Sequence, residues 1–189
     1  MQAKSPARHD VIIAGIGGTG SMIIGQILAA AGVSKYRYVL WNPSMTTARR
    51  GAPADCTIIL SDEEIASPLL LRVQTVLMTE SSRLKAFENR VLPGGLIVLE
   101  TSGLKDKVER NDVRVMEVPG VETAARVGSA LARNMVLLGA YVEAVKPVPV
   151  EPVEAEINKR FGRDQELLSL NSGAFREGVK LTAKSSPKV

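Results

Sequence analysis

Few side chains in this chain can do chemistry, and those few are grouped. Gly15-Ile16-Gly17-Gly18-Thr19-Gly20 fits G-x-G-x-x-G, the pattern of a turn in which glycines let a phosphate approach the backbone and a following helix offers free N–H groups and a partial positive charge. Arg49 and Arg50 stand side by side about thirty residues on, with Ser44 before them and Gly51 after. Guanidinium presents a fork of donors suited to carboxylate or phosphate, and a serine hydroxyl there either bonds a polar ligand group or ties its own loop backbone. Gly17, Gly18, Thr19, Ser44, Arg49, Arg50 and Gly51 are therefore the candidate ligand-facing set. The rest of the inventory excludes more than it offers. There is one cysteine, Cys56, and one histidine, His9. One thiol cannot hold an iron–sulfur cluster, which takes about four, and one His with one Cys falls short of an ordinary zinc site. No residue is assigned a catalytic role, and no metal is expected.

The elements that must carry these groups are read from periodicity. Asp10 to Gly15 is an apolar β-branched run, hence a buried strand. Gly18 to Gly32 has apolar residues at helical spacing. Strands follow at Tyr36 to Trp41, Cys56 to Leu60, Arg72 to Thr79, Leu96 to Glu100 and Val113 to Val118. Helices are expected over Ser82 to Val91 and, as one long element, Glu122 to Ala144, and a loop over Asn42 to Asp55. This alternation describes a Rossmann-like, doubly wound α/β fold with a mostly parallel sheet covered on both faces. Lys146 to Pro152 contains three prolines and is read as a stiff connector. Two helices, Val153 to Phe161 and Asp164 to Lys180, and a basic tail complete the chain. The expected organisation is a domain over 1–145 and a C-terminal helical extension over 146–189.

Composition bounds the partners. The chain has 189 residues, 45% of them hydrophobic, and a formal charge of +4. Three of those charges lie in the tail from Lys180 to Val189 and one in the first ten residues, leaving a neutral body with no concentrated basic face for nucleic acid. No apolar run approaches the roughly 18 residues of a membrane span, and the opening MQAKSPARHD lacks the apolar core of a secretory signal. A cytoplasmic protein is expected.

The glycine turn leaves three readings open. A nicotinamide site needs an acid at the end of the second strand to hold the ribose. That strand ends Leu40-Trp41-Asn42-Pro43, with none, and the arginines that could serve an NADP phosphate instead, Arg49 or Arg50, lie well past its end. A bare helix-on-strand turn and a phosphate or coenzyme A contact at a subunit interface are the other two.

The segment Val39 to Cys56 resembles the γ subunits of the 2-oxoacid:ferredoxin (acceptor) oxidoreductases, in which a Trp-x-Pro-Ser-Tyr-Gly-Pro-Glu-x-Arg-Gly-Gly loop leads to a strand opening near a cysteine. Trp41, Pro43, Ser44, Arg50, Gly51 and Cys56 match in register. The glycine turn is similar to the family's Gly-x-Gly-Gly-Gln-Gly. Phe87 to Gly95, Glu117 to Pro119, Arg133 to Ala140, and Asn171, Ala174, Phe175 and Gly178 extend the likeness along the chain. The resemblance implies a chain that binds no cofactor alone and works beside α, β and ferredoxin-like δ subunits, with a flavin–NAD subunit as a possible fourth partner. The complex would hold thiamine diphosphate, Mg and iron–sulfur clusters, with coenzyme A as substrate, and would turn a 2-oxoacid into acyl-CoA and carbon dioxide. The family's Tyr-Gly-Pro-Glu is Met45-Thr46-Thr47-Ala48 here, and its second loop glycine is Ala52. This departure points to a bulkier or aryl 2-oxoacid such as phenylglyoxylate, or else to a loop that has drifted because a partner subunit covers its role. The rival functions are a free-standing NAD(P)-binding oxidoreductase and a non-catalytic assembly subunit.

Overall fold

In a computed structural model, residues 8–45 and 51–183 are described. Six strands form one sheet: β1 (Arg8–Ala14), β2 (Tyr38–Met45), β3 (Ala54–Ser61), β4 (Val73–Met78), β5 (Val91–Glu100) and β6 (Arg114–Val118), in the order β2-β3-β1-β4-β5-β6. The pairs β1/β4, β4/β5 and β5/β6 are parallel. β3 runs antiparallel to both β1 and β2, so five strands share a direction and one is reversed.

The two faces are covered unequally. Helices α1 (Ser21–Gly32), α3 (Gly120–Val127), α4 (Arg133–Val145), α5 (Val150–Phe161) and α6 (Gln165–Ala183) build one continuous core against Val11, Ile13, Ile58, Leu60, Leu77 and Val98. Among the described residues the other face has the single turn α2 (Leu84–Phe87) with a 3-10 turn on either side, and loop residues Leu70, Leu104 and Val108 packed over Ile12, Val76, Ile97 and Leu99. α4 is buried from Asn134 to Val142 without a break, as expected of a helix that is apolar all round and lies between a sheet and a second helix layer. Among the described residues no helix is long and apolar enough to cross a membrane.

Four expectations are corrected. The long helix over Glu122 to Ala144 is two helices. Gly128 at φ 135° ends α3, Ser129 is extended, and its Oγ accepts from Leu131 N to start a 3-10 turn ahead of α4. The apolar spacing continues on both sides of the break and conceals it. The helix expected over Ser82 to Val91 is α2 between two 3-10 turns. β2 runs on through Asn42 to Met45 rather than giving way to loop. Helix α5 begins at Val150, with Pro152 inside its first turn, where a missing N–H breaks no helical hydrogen bond. The helices beyond 145 pack onto the sheet layer: Val153, Ile157, Ala174 and Phe175 are buried in the same core as α4.

Candidate functional site

The carboxyl ends of β1 and β4 lie side by side at the centre of the sheet. In open α/β sheets this is where ligands bind, since the connections leaving the two strands diverge and open a crevice. The glycine turn sits there. β3, being reversed, begins at the same edge, so the end of the loop that follows β2 lies against the turn. Gly17 N donates to Ala52 O at 2.9 Å, Ala54 N to Gly15 O at 3.0 Å, and Ile16 bridges Pro53.

A latch holds this elbow from below. Asp55 Oδ1 accepts from Gly15 N at 3.0 Å, and Oδ2 pairs with Arg83 Nη2 at 2.9 Å; both side chains are mostly buried. Arg83 also lies over the Phe87 ring, 5.0 Å from its centroid. Thr19 Oγ1 donates to Ile16 O at 2.8 Å and lies 2.9 Å from Thr79 Oγ1. Ser21 Oγ donates to Ala54 O at 2.6 Å. From the other side Asn134 Nδ2 donates to Gly20 O at 3.3 Å, which answers what a buried asparagine at the head of an apolar helix is for.

The glycines divide into two kinds. Gly15 and Gly20 have no room: a side chain at Gly15 would run into Thr79, Thr19 and Ser21, and one at Gly20, where φ is 76°, would strike Asn134. Gly17 and Gly18 face outward and are exposed. A Cβ at Gly17 would meet nothing nearer than 3.7 Å, and one at Gly18 nothing within 4 Å. Helix α1 begins behind them with no side-chain cap; Ile23 N is taken by Gly20 O at 3.0 Å, and the N–H groups of Ser21 and Met22 ahead of it are the ones a helix start leaves without an intrahelical partner.

The expected site residues are thus placed unequally. Gly17, Gly18 and Gly51 come together at the crevice, with Gly51 N the nearest neighbour of a Gly17 Cβ. Thr19 is buried, its hydroxyl spent on the turn itself. Ser44 is exposed on β2, opposite Asp55 and two strands from β1. Arg49 and Arg50 lie outside the described residues. Sequence reasoning missed Asp55, Arg83 and Arg133. Arg133 opens α4 3.9 Å from Glu80, just beyond β4, and adds a cation to the crevice rim. Glu100, at the end of β5, is buried and accepts from Ser102 N and Val121 N; burial pushes its carboxyl above the usual range, against the pull of those N–H groups.

Cys56 is buried beneath α1, with its thiol on Ser21 O at 3.7 Å. Burial pushes it up to about 12, with the Trp41 indole pulling the other way. Only thiolate reacts at a useful rate. A disulfide reagent at neutral pH is therefore expected to leave the native chain unlabelled and to label it fully in urea. Rapid labelling of the native chain would show that the thiol is accessible.

Geometry removes the nicotinamide reading's second anchor. With β3 inserted between β1 and β2, the end of β2 stands about 10 Å from the turn, too far to serve a ribose beside it. The acid that does stand beside the turn, Asp55, is consumed by Gly15 and Arg83. The fold and site define an α/β domain with an open glycine elbow and, among the described residues, no acid free to clamp a dinucleotide. The chain belongs to the pyruvate ferredoxin/flavodoxin oxidoreductase family, whose model matches residues 10–181, and the resemblance read from Trp41 to Cys56 is borne out. It is 28% identical over 179 residues to the ketoisovalerate oxidoreductase subunit VorA of Methanothermobacter thermautotrophicus, covering 95% of this chain and 33% of that protein. It is 32% identical over 186 residues to the 2-oxoglutarate synthase subunit KorC of Archaeoglobus fulgidus, covering 97% and 94%. Its fold matches the 2-oxoglutarate:ferredoxin oxidoreductase of Magnetococcus marinus with a TM-score of 0.86 at 22% identity, over 96% of this chain and 32% of that one. The chain thus spans about a third of the length of the VorA relatives, 33% and 37% in two species, and nearly all of KorC.

Proposed function

We propose that this chain is the γ-type subunit of a multisubunit, thiamine-diphosphate-dependent 2-oxoacid:acceptor oxidoreductase, inactive alone, whose open elbow faces the coenzyme A side of an active site held by partner chains. The observation that carries this reading is the contrast between glycines. Gly15 and Gly20 are required by packing and Gly18 by its backbone, at φ 95°, whereas Gly17 is bare where neither space nor backbone requires it. A bare, outward-facing backbone beside the uncapped start of α1 suits the phosphates of a coenzyme. The Magnetococcus protein was determined with 2-oxoglutarate, coenzyme A and succinyl-CoA bound, which supports coenzyme A as that ligand.

The partners in this reading are α and β chains with thiamine diphosphate and Mg, and a ferredoxin-like δ chain with iron–sulfur clusters. A flavin–NAD chain is a further candidate. Arg49 and Arg50, which directly precede Gly51 in the sequence, carry guanidinium forks suited to a carboxylate or phosphate. The relatives act, by their names, on ketoisovalerate and 2-oxoglutarate, which supports the 2-oxoacid class. The Met45-Thr46-Thr47-Ala48 segment favours a bulkier or aryl member of it, such as phenylglyoxylate. A complex that prefers pyruvate or 2-oxoglutarate would overturn that choice of substrate.

Gly17→Val in the assembled complex tests the elbow. The variant is expected to keep its thermal midpoint and its stoichiometry, while coenzyme-A-dependent turnover falls about tenfold or more through a raised KM for coenzyme A. Unchanged kinetics would make the bare turn a packing device. Tight dinucleotide binding by the isolated chain would instead favour a free-standing oxidoreductase.

A further inference from the structure

At the opposite, amino edge of the sheet lies a cleft of about 450 Å³, lined by His9, Gln74, Thr75, Gly94, Gly95 and Arg114 and closed by the end of α4. The volume falls within the range of small-ligand sites, about 300–1,000 Å³. The fold class does not call for a ligand at this edge, so the lining has to be explained by itself.

Its chemistry is one-sided. The lining contains no carboxylate. The acids around it are already paired: Asp10 with Arg8 at 3.1 Å, Asp112 with Arg110 at 2.7 Å, Glu143 with Lys146 at 3.5 Å. Arg114 has no ion pair or hydrogen bond among the described residues, so its charge is uncompensated where it faces the cleft. Thr75 is 3% exposed and lines the cleft; among the described residues its hydroxyl has no hydrogen-bond partner and is not one of the fully buried unpaired atoms, so it opens onto the cleft. The His9 ring stacks edge-on against Tyr36, centroids 6.1 Å apart. Burial, then the Lys35 charge, hold it below the ordinary histidine range, so at neutral pH it offers a neutral N–H beside the guanidinium. At Gly94, where φ is 74°, a Cβ would meet nothing within 4 Å, so the turn stands back from the opening.

We infer that this cleft is a second binding site, separate from the elbow, for a compact oxyanion, a small carboxylate or a phosphate, gripped by Arg114 with Thr75 and His9 as neutral donors. It lies a full strand length from the crevice, and its ligand is not the coenzyme of the proposed reaction.

His9 is the chain's only histidine, so its ring resonances report on this cleft alone. The full chain is titrated with succinate and, separately, with inorganic phosphate, at constant pH and ionic strength, with chloride as control. The expected result is a saturable shift of the His9 ring with at least one of the two, which identifies the class. Binding should weaken about tenfold in Arg114→Gln, the loss of one charge-assisted contact, and severalfold in Thr75→Val. Arg114 is exposed and Thr75→Val is nearly isosteric, so both variants keep the fold. A response that never saturates, that chloride reproduces, or that Arg114→Gln leaves unchanged overturns the site. A ligand held only at the elbow leaves His9 unmoved, so the outcome is independent of the function proposed above.

Discussion

Gly178→Val is expected to abolish cooperative folding, because α4 and α6 meet backbone to backbone. A Cβ at Gly178 would overlap the Val136 carbonyl and lie 3.0 Å from Ala140 N; a Cβ at Gly139 would overlap the Phe175 carbonyl and lie 3.0 Å from Val179 N. The two glycines are reciprocal, one on each helix. A flexible side chain could swing aside, but a helix carbonyl cannot, so any substituent pushes α6 bodily off α4. That separation uncovers Ala174 and Phe175, both 0% exposed, over α4, whose Tyr141 is equally buried. Overpacking a core costs about 1–3 kcal/mol when side chains can adjust. Where backbone must move, the loss reaches the upper end of that range or beyond, against a total stability of about 5–15 kcal/mol. Gly178→Ala is the graded version, expected to lower the urea midpoint by the equivalent of about 3 kcal/mol. A midpoint for Gly178→Ala indistinguishable from the parent would show that the helices have slack.

The second large effect is expected at Asp55. Among the described residues its carboxylate is the one hydrogen-bond partner of both the Gly15 N–H and the Arg83 guanidinium. Arg83 is already short of a partner at Nε. Asp55→Ala therefore leaves a mostly buried cation alone and a buried N–H unsatisfied, a loss of about 3 kcal/mol. The double variant Asp55→Ala, Arg83→Met removes the stranded charge and is expected to recover part of that loss, which a double-mutant cycle reads directly. In the assembled complex Asp55→Ala should also reduce turnover, since the elbow loses its anchor at Gly15. Equal stability of the single and double variants would mean that the pair is not coupled.

Much of this was legible locally. The run Asp10 to Gly15, the glycines after it and the amphipathic stretch behind them report strand, turn and helix within about twenty residues. The Trp41 to Cys56 pattern carried the family. The breaks were not legible for a local reason: Gly128 and Ser129 sit inside an apolar periodicity that runs through them, and Pro152 occupies the one turn of a helix that tolerates proline. Asp55 was passed over because forty residues separate it from Gly15, and only the pairing of Ile13 with Cys56 across β1 and β3 brings them together. Arg133 and Asn134 reach the same edge from the far side of the chain.

The composition alone ruled out this chain's holding a cluster unaided, because one thiol and one imidazole are too few ligands wherever they fall. The local pattern alone established that glycine must form the turn, because backbone conformation at positive φ is a property of a residue and its neighbours. Which glycines are bare and which are merely packed came from the assembled sheet. So did the reversed β3 that displaces β2 from the elbow, and the acid that sits beside the turn yet is unavailable to a ligand. Those are relations between atoms far apart in the chain, set by strand order and helix contact, and no window of sequence contains both partners.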